Sequence, residues 1–178
     1  MSNPIHIRAL DPDSEAEIEV VAQRMRATLI EVEGEAAGTA LHSLEWLRAR
    51  LRWHLDSNAV AAKVFLAIDS AGAVVGHTIV RREPDDYGGE CGFISTTYVV
   101  PASRRAGVAT ELLRAGEHWF RSQSLQRCET WTSATNSKLI ELYAKHGYTQ
   151  SMTHPHETTG TLMVKLERWL SNRAGAEG

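Results

Sequence analysis

The sequence predicts a single α+β domain, and three observations predict it. The chain has 178 residues, the length of one domain, and can bury about 70% of the surface its unfolded form exposes, so its core needs no metal or disulfide staple. Hydrophobic residues at 43% and charged residues at 23% are ordinary values for a globular protein and exclude collagen-like, low-complexity and wholly disordered chains. Between Val64 and Val100, runs of β-branched and aromatic residues alternate with short polar turns, whereas the stretches on either side carry apolar residues at helical spacing.

The elements follow in order. Ile5, Ile7 and Ala9 alternate with polar residues and predict a short strand. Ser14 with Glu17 has the spacing of a capping box, and Ile18, Val21, Met25, Leu29 and Val32 continue it as a helix that ends near Gly34 and Gly38. Ser43 opens a second helix with Leu44, Leu47, Leu51 and Leu55 on one stripe. VFLAI, AGAVVGHTIVRR and GFISTTYVV predict a three-strand meander joined by DSAG and EPDDYGGE turns. Pro101 stops the third strand, and Leu112, Leu113, Gly116, Trp119 and Phe120 mark a third helix. CETWTSAT predicts a strand, NSKLIELYAKHGY a short helix closed by Gly147, and GTLMVKLERWL a last strand before the small polar tail RAGAEG.

Charge and composition limit the function. Acidic residues number 22 against 19 Lys and Arg, a net charge of -3, which argues against a dedicated nucleic-acid binder. The longest nearly apolar stretch, Ala59 to Ile68, is half a membrane span and is interrupted by Lys63. The opening MSNPIHIRALDPDSE has neither an apolar signal region nor a basic, acid-poor character, so a cytoplasmic protein is expected. Cys91 and Cys128 are too few for a disulfide framework and lack CxxC spacing, which reads as two reduced core residues.

The chemistry sits at the turn in TTYVVPASRRAGVATELL. A strand ends at Pro101 and a helix begins near Gly107, leaving the first amides of the helix without intrahelical partners. Gly107 removes the side chain where a diphosphate must approach, the helix dipole favours an anion, and Arg104 and Arg105 add cations. A surface loop with two solvated arginines is the alternative. Neither a Walker A ending nor GxGxxG is present.

The arrangement R-x-x-G-x-A at Arg104, Gly107 and Ala109, followed by Asn136, Leu142-Tyr143 and Gly147-Tyr148, resembles the GNAT superfamily of acyl-CoA-dependent N-acetyltransferases. The resemblance implies a single domain over residues 1–178, with a helical acceptor side at 14–57 and cofactor-binding motifs at 93–148. It also implies a three-layer architecture, a mixed, mostly antiparallel twisted sheet of six to seven strands flanked by about four helices. By this resemblance the backbone of Tyr98, Val99 and Val100 pairs with the pantetheine arm of acetyl-CoA. Arg105, Ala106, Gly107, Val108, Ala109 and Thr110 wrap the diphosphate, with Arg104 at the first motif position, and Asn136 hydrogen-bonds the arm. Tyr143 is implied as the acid that protonates the leaving thiolate. A phenol with an ordinary pKa of about 10 suits that role, although the helix periodicity around Leu139 and Leu142 equally fits a core tyrosine.

A general base is less visible. The places where relatives carry an acid hold Thr130 and Ser95 or Thr96, while Glu129 has the wrong strand parity and Glu90 lies about 26 Å upstream. A water chain through the Ser and Thr side chains is the other route. His154-Pro155-His156-Glu157 reads as a polar loop and not a metal site, so no metal is expected. Glu31, Glu33 and Glu35 either attract a cationic acceptor or form a solvated helix end, Asp85, Asp86 and Tyr87 form a turn, and Trp46 and Trp53 suit packing. The leading function is direct transfer of acetyl from acetyl-CoA to an amine acceptor in a ternary complex, in a chain that relatives suggest can dimerise. A non-catalytic CoA-binding module and a protein-interaction domain are the alternatives.

Overall fold

The structure, a computed structural model, describes residues 4–170, so the polar tail expected from Arg173 lies outside the described residues. A strand β1 (His6–Ala9) leads to helices α1 (Glu15–Glu33), α2 (Glu35–Leu41) and α3 (Leu44–Leu55). The meander follows as β2 (Ala62–Ile68), β3 (Val74–Pro84) and β4 (Glu90–Val99). Helix α4 (Val108–Ser122), β5 (Arg127–Ser133), α5 (Ser137–Lys145), β6 (Thr149–Pro155) and β7 (Leu162–Trp169) complete the chain. The seven strands form one sheet in the order β1-β2-β3-β4-β5-β7-β6, antiparallel except for β4 beside β5. This is the three-layer α+β architecture expected.

Local chemistry explains most boundaries. Ser14 Oγ accepts from the Glu17 amide at 3.3 Å, but only half of the capping box forms. The Glu17 carboxylate turns instead to the Asp11 amide at 2.8 Å and to Arg8 of β1. Ser43 caps α3 through the Trp46 amide at 3.0 Å. Gly34, at φ +85°, closes α1 as expected, but Gly38 does not end a helix. It lies inside α2, where a Cβ would stand 2.6 Å from the Ile30 backbone, so its bare Cα allows α2 to pack against α1. The other addition is β6, all of whose residues are exposed and whose end holds His154 and Pro155 in a strand and not a loop.

The sheet has a core on each face. Ile18 and Val21 of α1 and Leu51 of α3 pack on Val64, Leu66 and Ile79. On the opposite face Leu113 and Phe120 of α4 and Tyr143 of α5 pack with Val80, Ile94, Cys128 and Leu166. Cys91 and Cys128 are buried free thiols, pushed up to about 12 first by burial. Among the described residues no helix is long and apolar enough to cross a membrane.

Candidate active site

The site begins where two strands part. β4 and β5 pair through three registers, Gly92 with Cys128, Phe93 with Glu129 and Ile94 with Thr130, and there the ladder stops. Beyond it β4 stays paired with β3 as far as Val99, and β5 stays paired with β7 as far as Ser133. The two strands therefore diverge and leave a slot. Ser95 is the extra residue of a β-bulge, because Ile79 faces Thr96 while Val80 faces Ile94, and bulges turn a strand aside in this way. Thr130 Oγ1 donates to the Ile94 carbonyl at 2.8 Å and closes the apex of the slot.

Tyr143 of α5 reaches that apex. Its side chain is 3% exposed, and its hydroxyl is flanked by Thr97 and Thr130. Burial pushes the phenol up to about 12, while hydrogen bonding to Thr97 and then Thr130 works in the opposite direction. The Tyr148 ring meets the Tyr143 ring edge-on at 4.9 Å and fixes it. Thr97 Oγ1 lies 2.8 Å from Thr78 Oγ1, so hydroxyls line the slot where an acid was sought.

The open end of the slot meets the glycine turn. Gly107, at φ +79° and ψ 5°, is the left-handed residue before α4, and no side chain caps the helix. The first amides of α4 consequently have no intrahelical acceptor. A Cβ on Gly107 would meet nothing within 4 Å, so glycine is required there by its backbone conformation and not by crowding within the chain. Arg105 adopts φ +65°, which curls the loop so that Arg105 and Ala106 stand exposed. The side chain of Val108 is in the core, and Thr110 Oγ1 lies 3.4 Å from His146 Nε2 of α5.

Arg104 does not project into the turn. Its Nε donates to the Val99 carbonyl at 2.8 Å, its Nη2 meets Glu31 at 2.6 Å, and its guanidinium lies 5.6 Å from the Tyr98 ring. It thereby ties the end of β4 to α1. Val99 packs in the core, and the Val100 amide donates to Val75 at 2.9 Å. Asn136 caps α5, accepting from the Leu139 amide at 3.3 Å.

The acidic candidates are occupied elsewhere. Glu129 is held by Arg127 at 2.7 Å and Lys165 at 3.1 Å, and Glu90 pairs with Arg82 at the far end of β4. Glu33 accepts from Thr161 at 2.8 Å, tying α1 to the loop before β7, where His156 Nδ1 accepts from the Thr158 amide at 3.2 Å. Asp85 and Asp86 stand 3.8 Å from Arg127 and 3.5 Å from Lys165. Trp46 is partly exposed and stacks on His42 at 3.8 Å, and Trp53 lies under Arg50 at 4.2 Å. Sequence reasoning missed Arg24 and His77, which share the α1 face of the slot with Tyr98. His77 pairs with Tyr98 across β3 and β4, with the rings stacked at 6.2 Å, but strand register of this kind is not written in a local motif.

A slot between splayed strands, with a buried phenol at its apex and an uncapped helix start at its mouth, defines a domain for an extended ligand with an anionic end. Residues 35–148, more than half of the chain, match the Acetyltransferase (GNAT) family, and the chain belongs to that family. It is 32% identical over 92 residues to the aminoglycoside N(6')-acetyltransferase type 1 of Klebsiella aerogenes, a match that spans 50% of this chain and 60% of that protein. The fold is similar to that of yncA, a putative acetyltransferase from Salmonella typhimurium with its cofactor acetyl-CoA, at TM-score 0.73 and 16% identity over 99% of each chain. It is likewise similar to a ribosomal-protein-alanine N-acetyltransferase from Brucella melitensis, at TM-score 0.74 and 16% identity over 93% of this chain and 99% of that one.

Proposed function

We propose that the chain transfers the acetyl group of acetyl-CoA to a primary amine by direct attack in a ternary complex. The observation that carries this reading is the position of the protonated Tyr143 phenol at the apex of the β4–β5 slot. The side of β4 that β5 leaves unpaired, along Tyr98, Val99 and Val100, suits the pantetheine arm, with the Val99 carbonyl held by Arg104 and the Val100 amide by Val75. The turn from Arg105 to Thr110 suits the diphosphate, its amides and the α4 dipole supplying the attraction. Asn136 retains its side-chain NH2 for the arm, its Oδ1 being engaged by the helix cap.

Acetyl-CoA supplies an activated acyl carbon and a thiolate leaving group. Holding an amine against that carbon converts a bimolecular encounter into a local one, a large part of the acceleration. As the new N–C bond forms and the C–S bond breaks, Tyr143 gives its proton to the departing sulfur. The amine proton passes by way of the Thr97 and Thr130 hydroxyls that flank Tyr143 and restores the phenol, since Glu129 and Glu90 are tied up in ion pairs. No acyl-cysteine step is invoked, because both thiols are buried and remain protonated.

The test is calorimetric titration of acetyl-CoA into the wild type and Gly107→Glu, followed by thiol release with a panel of amines. The glutamate places a negative charge at the helix start, so micromolar binding should be lost in the variant. Binding without thiol release from any amine would leave a CoA-binding module. Absence of binding to the wild type would refute the proposal.

A further inference from the structure

On the α1 face of the slot the chain leaves a positive charge unanswered. Arg24, half-buried on α1, has its Nη1 wholly enclosed without a hydrogen-bond partner, and no described carboxylate forms an ion pair with it. Most other arginines of the chain do pair with acids, including Arg104 with Glu31 two helical turns along the same helix. Beneath Arg24, His77 of β3 is fully buried, and neither of its ring nitrogens has a partner. Burial depresses the basicity of both groups, and proximity to Arg24 depresses that of His77 further. Buried donors are nearly always paired, so three unpaired nitrogens on two neighbouring side chains mark a place where an absent polar group is bound.

The location indicates what that group belongs to. His77 is registered opposite Tyr98, the strand residue next to Thr97, and Thr97 flanks the Tyr143 phenol. Along β4 the cluster is thus offset by one residue from the reacting end, on the opposite face of the sheet, with His77 one strand further from the slot. We propose that Arg24 and His77 bind the carboxylate of the acceptor, and that the acceptor is a small amino acid whose amine lies a few ångströms from that carboxylate. The guanidinium offers the charge and the forked donors that match a carboxylate, and the neutral imidazole donates one further N–H. The carboxylate is unchanged in the reaction and fixes the amine against the acyl carbon. The proposal rests on the reading of the slot as a site of acetyl transfer.

The experiment measures thiol release with L-amino acids and the matching amino-acid amides, in the wild type, Arg24→Met and Arg24→Lys. Comparing the acid-to-amide ratio between proteins cancels the difference in amine basicity. The wild type should favour the acid, and Arg24→Met should lower that ratio ten- to a hundredfold, about the worth of a hydrogen bond to a charged group, through KM. Arg24→Lys should restore part of the preference. Removing an unpaired, half-buried charge should leave thermal stability undiminished, whereas a purely structural arginine would lower it. A ratio unaffected by Arg24→Met, a loss falling instead on acetyl-CoA affinity, or turnover of polyamines and amino sugars alone would overturn the proposal while the transferase reading stands. Failure of every amine to release thiol would instead refute the transferase reading itself.

Discussion

Replacing Tyr143 by Phe removes one oxygen from the apex of the slot and leaves the ring, its edge-on contact with Tyr148 and the surrounding core in place. The hydroxyl lies beside Thr97 and Thr130, both of which remain in the variant. If the phenol protonates the leaving sulfur, its loss should lower kcat about a hundredfold, or about 2.7 kcal/mol of barrier. Acetyl-CoA affinity should change little, and stability should fall by about 1 kcal/mol, the worth of one buried hydrogen bond. The assay is steady-state thiol release, paired with calorimetry of acetyl-CoA binding and chemical denaturation. The wild-type pH profile supplies a second constraint. Because burial raises the phenol to about 12, its deprotonation cannot cause a fall in rate near pH 9 or 10. A Tyr143→Phe enzyme retaining more than about a third of wild-type kcat would refute the acid role.

Two further outcomes test the fold. His54 and His77 are buried and pushed down to about 4 and about 3, chiefly by desolvation, so the unfolded chain binds more protons below pH 6.5. Stability should therefore be full above about pH 6.5 and fall as pH drops from there towards 4, and a flat denaturation midpoint across that range would contradict it. Gly92→Ala places a Cβ 2.5 Å from the Phe120 ring, which is wholly buried, so overpacking should cost about 1–3 kcal/mol or more in urea denaturation.

Elements with a strong period or a cap were legible in the sequence. Ser14, Ser43 and Asn136 each mark a helix start, and the stripe from Leu112 to Phe120 marks α4. Helix α2 was not legible, because EAAGTAL is too short to show a stripe and its Gly38 serves a helix–helix contact made only in the fold. Strand β6 was hidden for a different reason: both of its faces are exposed, so its sequence has no alternation to betray it. In the site, the glycine turn and Tyr143 carry local signals. The Ser95 bulge, the diversion of Arg104 to Glu31, and the juxtaposition of Arg24 with His77 arise from pairings between distant segments that no local pattern records.

The three-rung seam between β4 and β5 also has a mechanical meaning. Strands β1 to β4 form one half-sheet and β5 to β7 the other, and among the described residues the backbone ladder between them is confined to Gly92–Ile94 and Cys128–Thr130, with the core of α4 and α5 packed across both. An extended ligand lying in the slot would supply part of the ladder that the chain omits, acting as a temporary eighth strand. Occupancy would then add backbone pairing at the place where the chain's own ladder is shortest, so that binding and the completion of the sheet are one event.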